Sequence, residues 1–203
     1  PSPVPELRHR AVIRMLRDPS GTIWCGSRGR IVRVTPAGKV LLSLDARDGI
    51  PDAGICALHM DVDGTLWFGT DEKGCGFYRD GKVVMIGAPE GLPDPWVMSI
   101  VRDRQGVLWL GTQHGIVAWN GTRCVPMAVD DEDVRSGIVT FVVCDSLGML
   151  WFGTQRGVYA WNGSALSHLD YRDGLIADPT RCGSADREGD LWIGTIGGVS
   201  RLD

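Results

Sequence analysis

Residues 61–70 read DVDGTLWFGT, and four further stretches of the chain repeat this pattern. They are DPSGTIWCGS at 18–27, DRQGVLWLGT at 103–112, DSLGMLWFGT at 145–154 and DREGDLWIGT at 186–195. The tryptophans of the five stretches are 43, 42, 42 and 41 residues apart. A period of this length is typical of propellers and solenoids, in which each repeat is one supersecondary unit.

The chemistry of each repeat favours strands and tight turns. The Asp-x-x-Gly segment is a type I turn signature, in which the aspartate accepts backbone hydrogen bonds and the glycine adopts a positive φ. An apolar strand precedes the turn, as at 56–60 and 97–101, and the L-W-x-G-T strand follows it. A third strand is clearest at 115–120 and 157–162, where Asn-Gly begins a hairpin to a more polar fourth strand.

Four antiparallel strands in about 42 residues make one propeller blade. We therefore predict an all-β protein, a β-propeller of four-stranded antiparallel blades, that forms a single domain or fragment over 1–203. The blades are expected at about 11–48, 54–88, 96–130, 137–170 and 179–203. The last blade ends after its third strand, so the chain contains about 4.75 blades.

Two interpretations of this incomplete blade are open. The favoured one is that the chain is part of a larger ring. In the other, five blades close by themselves and Pro1–Leu7 supplies the missing outer strand. Residues 4–10 align with the connector that precedes Trp96 rather than with an outer strand, which favours the larger ring.

The pattern D-x-x-G-x-L-W-x-G-T-x-x-G-[IV]-x-x-[WY] resembles the two-component regulator propeller repeat, found in the sensor portions of bacterial hybrid histidine kinases. The connectors EGLPD at 90–94, DGIPD at 48–52 and DGLI at 173–176 also resemble that family, whereas Cys25 and Ser27 depart from it. The resemblance implies a non-catalytic, ligand-sensing domain of a membrane receptor, periplasmic or extracellular, with a cytoplasmic location left open. It also implies that the rest of the receptor chain is a partner.

Charge and hydropathy bear on which partners and which cellular location are expected. The net charge is −4 and the basic residues are scattered, so nucleic acid is not an expected partner. No apolar run reaches the roughly 18 residues that would suggest a membrane-spanning helix. The first residues, PSPVP, do not resemble a signal peptide.

Recognition is expected where the repeat is broken. In a propeller, the loops between second and third strands and the connectors between blades meet at one face, where ligands bind. The side chains at these places are suited to stacking and to directional hydrogen bonds. The candidate ligand-binding residues are Trp96, His114, Gln113, Arg156, Gln155, Arg135, Arg28, Lys73 and Arg181.

No catalytic residue, metal site or cofactor is predicted. The acidic run 130–133 lacks the spacing of a calcium loop and is interpreted as a solvated loop. The six cysteines have no Cys-x-x-Cys spacing and most are interpreted as small apolar residues. The expected ligand is an unidentified small molecule, with oligosaccharides favoured only by family analogy, and homodimerisation is left open. Two alternatives are a protein-interaction scaffold and a propeller lyase resembling streptogramin lyases, in which His114 would act with Glu72.

Overall fold

A computed structural model describes residues 4–186 and 188–202, and it consists almost entirely of antiparallel β-sheets. Five sheets follow one another along the chain, and in each the strands pair in sequence order. Within the described residues, the first four sheets have four strands and the fifth has three. The predicted all-β propeller fold, with its incomplete fifth blade, is confirmed.

The chain divides into two compact units. The first comprises residues 1–89 and 95–97, and the second comprises 90–94 and 98–203. The repeat spacing does not indicate this division. The first unit contains two sheets, made of β1 (Val12–Arg17), β2 (Ile23–Ser27), β3 (Arg30–Val34) and β4 (Val40–Leu44), then β5 (Ile55–Met60), β6 (Leu66–Thr70), β7 (Cys75–Arg79) and β8 (Lys82–Ile86).

The third sheet contains β9 (Val97–Arg102), β10 (Leu108–Thr112), β11 (Gly115–Trp119) and β12 (Cys124–Pro126). A short helix, α1 (Glu132–Ser136), lies between it and the fourth sheet, which contains β13 (Phe141–Cys144), β14 (Leu150–Thr154), β15 (Gly157–Trp161) and β16 (Leu166–Leu169). The fifth sheet contains β17 (Thr180–Ala185), β18 (Leu191–Thr195) and β19 (Val199–Leu202).

The Asp-x-x-Gly segment joins the first and second strands of every sheet, as predicted. Its glycine has a φ between 84° and 103° in all five repeats. Its aspartate also accepts a hydrogen bond from the indole Nε1 of the tryptophan six residues later, at 2.7–3.0 Å in each repeat. The repeated Asp and Trp are therefore one structural pair that holds the turn against the second strand.

The segment before the first sheet is not a strand. Pro5–Leu7 form a 3-10 helix, as do Ala46–Asp48, Ala88–Glu90 and Tyr171–Asp173 in the connectors between later sheets. The alternative in which Pro1–Leu7 adds the outer strand of the fifth blade is wrong for residues 4–7, because proline at the first helical position fixes φ for a helical turn there. Residues 1–3 lie outside the described residues.

Each unit has its own apolar core. In the first, six buried side chains from the two sheets and Ile50 from the connector between them form one cluster that includes Trp24, Ile31 and Phe68. In the second, a cluster of nine includes Trp109, Ile116, Val134 and Phe152, so that the helix α1 is packed into the core beneath the candidate site.

Three aspartates of the first unit, Asp18, Asp45 and Asp63, have pKa values lowered by the fold. Burial alone would raise the pKa of Asp18, but hydrogen bonds from neighbouring side chains, including Trp24, hold it well below its usual value. The hydrogen bonds and charge of Arg47 lower the pKa of Asp45 to about 2. A carboxyl group whose pKa is lowered by folding stabilises the native state above its unfolded pKa, about 4, and this stabilisation is lost as the pH falls through the folded value.

We therefore expect the melting temperature to be nearly constant from pH 7 to pH 5 and to fall between pH 4 and pH 2. Thermal unfolding followed by circular dichroism measures this. Asp45→Asn should lose less stability over that interval than the native chain, because it removes one of the titrating groups. A melting temperature at pH 3 equal to that at pH 6 would contradict the prediction.

Candidate functional site

Two turns of the second unit, at 112–115 and 154–157, each carry a pair of side chains whose identities differ from repeat to repeat. The hydroxyl of Thr112 donates to the carbonyl of Gly115 at 2.8 Å and accepts from the backbone N–H of His114 at 3.1 Å. The hydroxyl of Thr154 makes the equivalent two bonds, to the carbonyl of Gly157 and from the N–H of Arg156. Both threonines are fully buried. The repeated threonine thus fixes the turn, and the variable pair between it and the glycine is presented outward.

The helix α1 lies beside the first of these turns. Its N-terminal end is capped by Asp131, whose side chain accepts from the N–H of Val134 at 3.1 Å. At its other end, the carbonyl of Gly137 accepts from the N–H of Gly115 at 2.8 Å. Interpreting the acidic run as a solvated loop is therefore wrong, because Asp131 initiates a helix whose Val134 is buried.

The two turns and the end of α1 enclose a cavity of about 450 Å³. Four of the predicted residues line it together, namely Gln113, His114, Gln155 and Arg156. The other lining residues are Asp133, Ser136, Gly137, Ile138 and Thr154. This volume is within the range of small-molecule sites, roughly 300–1,000 Å³.

A hydrogen-bonded pair and an ion pair organise the polar groups of the cavity. Nδ1 of His114 lies 2.7 Å from Oδ2 of Asp94, a carboxylate that is mostly buried. Nε of Arg156 lies 3.4 Å from Oδ2 of Asp133. The hydroxyl of Tyr159 donates to the same Asp133 oxygen, and burial raises the pKa of Tyr159 so that it stays protonated. The imidazole and the guanidinium are both more than half exposed, so they remain accessible to a ligand.

The structure does not bring the other predicted residues to this cavity. Arg135 is exposed on α1, 3.5 Å from Asp130, and does not line the cavity. Arg181 is exposed on β17. Lys73, Arg28 and Trp96 belong to the first unit. Of the nine predicted residues, four therefore form one group, and the role of all nine in binding stays a prediction.

Of the three predicted residues in the first unit, two contact nearby side chains and one is exposed. Arg28 forms ion pairs with Asp52 at 3.3 Å and with Glu72 at 3.7 Å. Lys73 is exposed. Trp96 is 37% exposed and hydrogen-bonds the thiol of Cys56. Within their own units, His114 pairs with Asp94 and Glu72 pairs with Arg28. The predicted partnership of Glu72 with His114 stays a prediction.

The sequence analysis missed Asp94, Asp133, Ser136 and Ile138. The repeat spacing contained no signal for the last three, because Trp109 and Trp151 are separated by the ordinary 42 residues. In the structure, β12 has only three residues, and the connector at 127–140 is four residues longer than those at 45–54, 87–96 and 170–179. The extra length accommodates α1, which supplies one wall of the cavity.

The cysteines carry free thiols, and burial raises the pKa of Cys124 to about 11, which makes it a poor nucleophile. Over residues 4–186 and 188–202, no group of three His, Cys, Asp or Glu side chains is arranged to hold a metal ion. In the same ranges, no helix combines the length and apolar character needed to cross a membrane.

A family model described as "two component regulator propeller" matches residues 49–72 and 91–114. No curated protein sequence matches the chain significantly. Among solved structures, the extracellular domain of a protein described as a hybrid two-component system from B. thetaiotaomicron is 20% identical, with a TM-score of 0.82. That match covers 96% of this chain and 28% of the other.

Two further structures similar to this chain belong to proteins with other descriptions. Virginiamycin B lyase from Staphylococcus aureus is 15% identical with a TM-score of 0.72, and the match covers 93% of this chain and 68% of the lyase. PorZ, a surface component of the type-IX secretion system of Porphyromonas gingivalis, is 17% identical with a TM-score of 0.75, and the match covers 94% and 32%. At these identities the similarities show the fold alone.

The sheets and these similarities define the chain as a β-propeller protein. Two of its segments, at 49–72 and 91–114, match the model of the two-component regulator propeller. The chain spans little more than a quarter of the length of the similar extracellular domains, at 28% and 26%.

Proposed function

We propose that this chain is a non-catalytic, ligand-sensing segment of an extracytoplasmic propeller in a bacterial signalling receptor, and that its ligand binds in the cavity between the turns at 112–115 and 154–157. The observation that carries the proposal is the convergence of Gln113, His114, Gln155 and Arg156 on one cavity. These are the positions at which the repeat varies most, whereas the supporting hydroxyl residue is threonine in four repeats and Ser27 in the first.

The chemistry of the cavity suits a polar, neutral or acidic small molecule. Two amides and an imidazole offer both donors and acceptors, and Arg156 offers several N–H groups in a planar fork. Ile138 adds an apolar surface. Oligosaccharide fragments and small organic acids fit this combination, and the rest of the receptor chain is the expected partner.

The proposal predicts that Arg156→Ala weakens binding of the cavity ligand at least tenfold, because a hydrogen bond to a charged group contributes about 1.5–3 kcal/mol. A thermal-shift screen of oligosaccharides and small acids would identify the ligand, and calorimetry would measure its affinity for each variant. Arg123→Ala is the matched control, since Arg123 is exposed at the opposite end of β11. Equal affinity of both variants would show that the ligand binds elsewhere.

One observation favours a second candidate, a lyase. The His114–Asp94 pair has the geometry of an oriented general base, and the lyase structure shares the fold. The sensor proposal predicts no turnover when the chain is incubated with quinupristin, the compound present in one structure of the lyase, and the products are followed by mass spectrometry. Turnover of quinupristin that is lost in His114→Ala would overturn the sensor proposal in favour of the lyase.

A further inference from the structure

A second cavity of the second unit, of about 260 Å³, lies between the third and fourth sheets and is separate from the proposed ligand site. It is smaller than most small-molecule sites, which have roughly 300–1,000 Å³, so it suits a single chemical group. Trp161 of β15 is among the lining residues from the fourth sheet. Four lining residues belong to β10 and the turn before it, namely Asp103, Gln105, Val107 and Trp109.

In the first repeat, the four equivalent residues all contact one guanidinium, that of Arg33. Its Nη2 donates to Oδ2 of Asp18 at 2.8 Å and to Oγ of Ser20 at 3.1 Å. Its Nε donates to Oγ1 of Thr22 at 2.8 Å, and its Cζ lies 5.2 Å from the centre of the Trp24 ring. The third repeat therefore lines a cavity with the same four positions that bind a guanidinium in the first.

The third sheet lacks the side chain that covers this position in the first. Arg33 is the cross-strand partner of the repeated tryptophan in the first sheet, whereas the partner of Trp109 is Ala118. The equivalent partners in the second and fifth sheets are also large. Phe77 lies 4.9 Å from its tryptophan between ring centres, and Cζ of Arg201 lies 5.7 Å from the ring centre of its own. A methyl group at 118 cannot cover the indole or reach the aspartate.

The polar groups of the cavity can accept further hydrogen bonds. Asp103 accepts from the N–H of Val107 at 2.8 Å and from Nε1 of Trp109 at 2.7 Å. A carboxylate has roughly four acceptor sites, so about two remain. Among the described residues, Asp103 forms no ion pair with a basic side chain. Gln105 is exposed and adds an amide oxygen, whereas the fourth sheet, which also has an alanine opposite its tryptophan, has Leu147 in place of this amide.

Two arginines are neighbours of this aspartate in the sequence. Arg102 has an equivalent in the first repeat, Arg17, and Arg33 binds there all the same, so an arginine at this position does not exclude a guanidinium. Arg104 is exposed, and its Cδ would lie 3.4 Å from a Cβ added to Gly148, which lines the cavity. Its charge opposes that of a bound cation from the edge of the cavity, without filling the site itself.

We propose that this cavity binds a guanidinium group, supplied by a free organic cation or by an arginine side chain of a partner peptide. The group lies over the indole of Trp109 and donates to Asp103, as Arg33 does in the first repeat. A guanidinium is planar and carries its donors in a fork, so it can stack on a ring and bond to a carboxylate together. An anion would face the carboxylate of Asp103.

The test follows the indole N–H signals of the eight tryptophans by two-dimensional NMR. The whole chain is titrated with methylguanidinium chloride, with the peptide acetyl-Gly-Arg-Gly-amide or with butylammonium chloride, at constant ionic strength and below denaturing concentrations. We expect the Trp109 signal to shift saturably with the first two probes, and butylammonium to bind at least tenfold more weakly because it cannot stack. Tighter binding of the peptide than of methylguanidinium identifies a partner arginine as the source, and equal binding identifies a free cation.

Three variants test the position of the site. Ala118→Arg gives the third sheet the guanidinium of the first and should abolish the shift. Ala128→Arg is the matched control, since it adds the same charge at an exposed position of the same unit. Asp103→Asn keeps the shape of the side chain, removes its charge and should weaken binding at least tenfold.

A saturable shift of Trp109 that is lost in Ala118→Arg and kept in Ala128→Arg supports the site. Native affinity in Ala118→Arg would overturn the proposal. If Ala118→Arg does not fold, Asp103→Asn decides in the same way, and its own fold is checked by its NMR spectrum. A shift of every indole signal alike, without saturation, would also overturn the proposal.

Discussion

Replacing Phe152 with alanine is expected to lower the free energy of unfolding by about 3–5 kcal/mol, the usual cost of removing a large buried aromatic side chain. Phe152 is fully buried in β14. Its ring stacks on Tyr159, with centroids 5.4 Å apart and planes within 7° of parallel. Alanine would leave a cavity beside Tyr159 in the same core cluster.

The chain provides a matched pair for this experiment. Phe68 occupies the same position of the repeat in β6 and is also fully buried, so Phe68→Ala should cost a similar amount in the first unit. Leu147, which is 89% exposed, gives the control substitution Leu147→Ala, with an expected change below about 0.5 kcal/mol. Urea unfolding followed by circular dichroism measures all three. A loss below 1 kcal/mol for Phe152→Ala would mean that the repeat position does not build the core.

The repeat made most of the fold predictable. Its period set the number of sheets, and the Asp-x-x-Gly turns and Asn-Gly hairpins marked where strands reverse. The pairing of Asp18 with Trp24, and of each equivalent pair, was not predicted. The turn signature already accounts for the presence of the aspartate at each turn. The constant separation of six residues does not by itself indicate a contact, because the tryptophan approaches the aspartate only when the second strand folds back beside the turn.

The site was predictable only where it interrupts the repeat. Four of the residues that line the cavity directly follow the repeated Gly-Thr at the end of a second strand. Their positions on two successive turns could therefore be inferred from the repeat. They are Gln113, His114, Gln155 and Arg156. Asp133 and its neighbours on α1 could not be placed in the same way. A connector has no repeat register, and α1 depends on the tertiary burial of Val134 rather than on helix propensity over five residues.

The position of α1 against the turn predicts a large effect of Gly115→Ala. Gly115 has a φ of +88°, which costs alanine about 1–2 kcal/mol. An added Cβ would also lie 2.3 Å from the carbonyl oxygen of Arg135, a backbone atom that cannot move without shifting α1. Relieving this overlap should cost a further 1–3 kcal/mol or so, and should break the bond from Gly115 N–H to the carbonyl of Gly137.

Gly106→Ala separates the two contributions. Gly106 has nearly the same φ, +85°, and an added Cβ there would meet no atom within 4 Å. It should therefore lose only the backbone part, about 1–2 kcal/mol. Because the 112–115 turn carries His114 and rests on α1, Gly115→Ala should also weaken the cavity ligand at least tenfold in calorimetry at a temperature where the variant is folded, whereas Gly106→Ala should bind normally. Equal stability and equal affinity of the two variants would mean that contact between the turn and α1 does not shape the cavity.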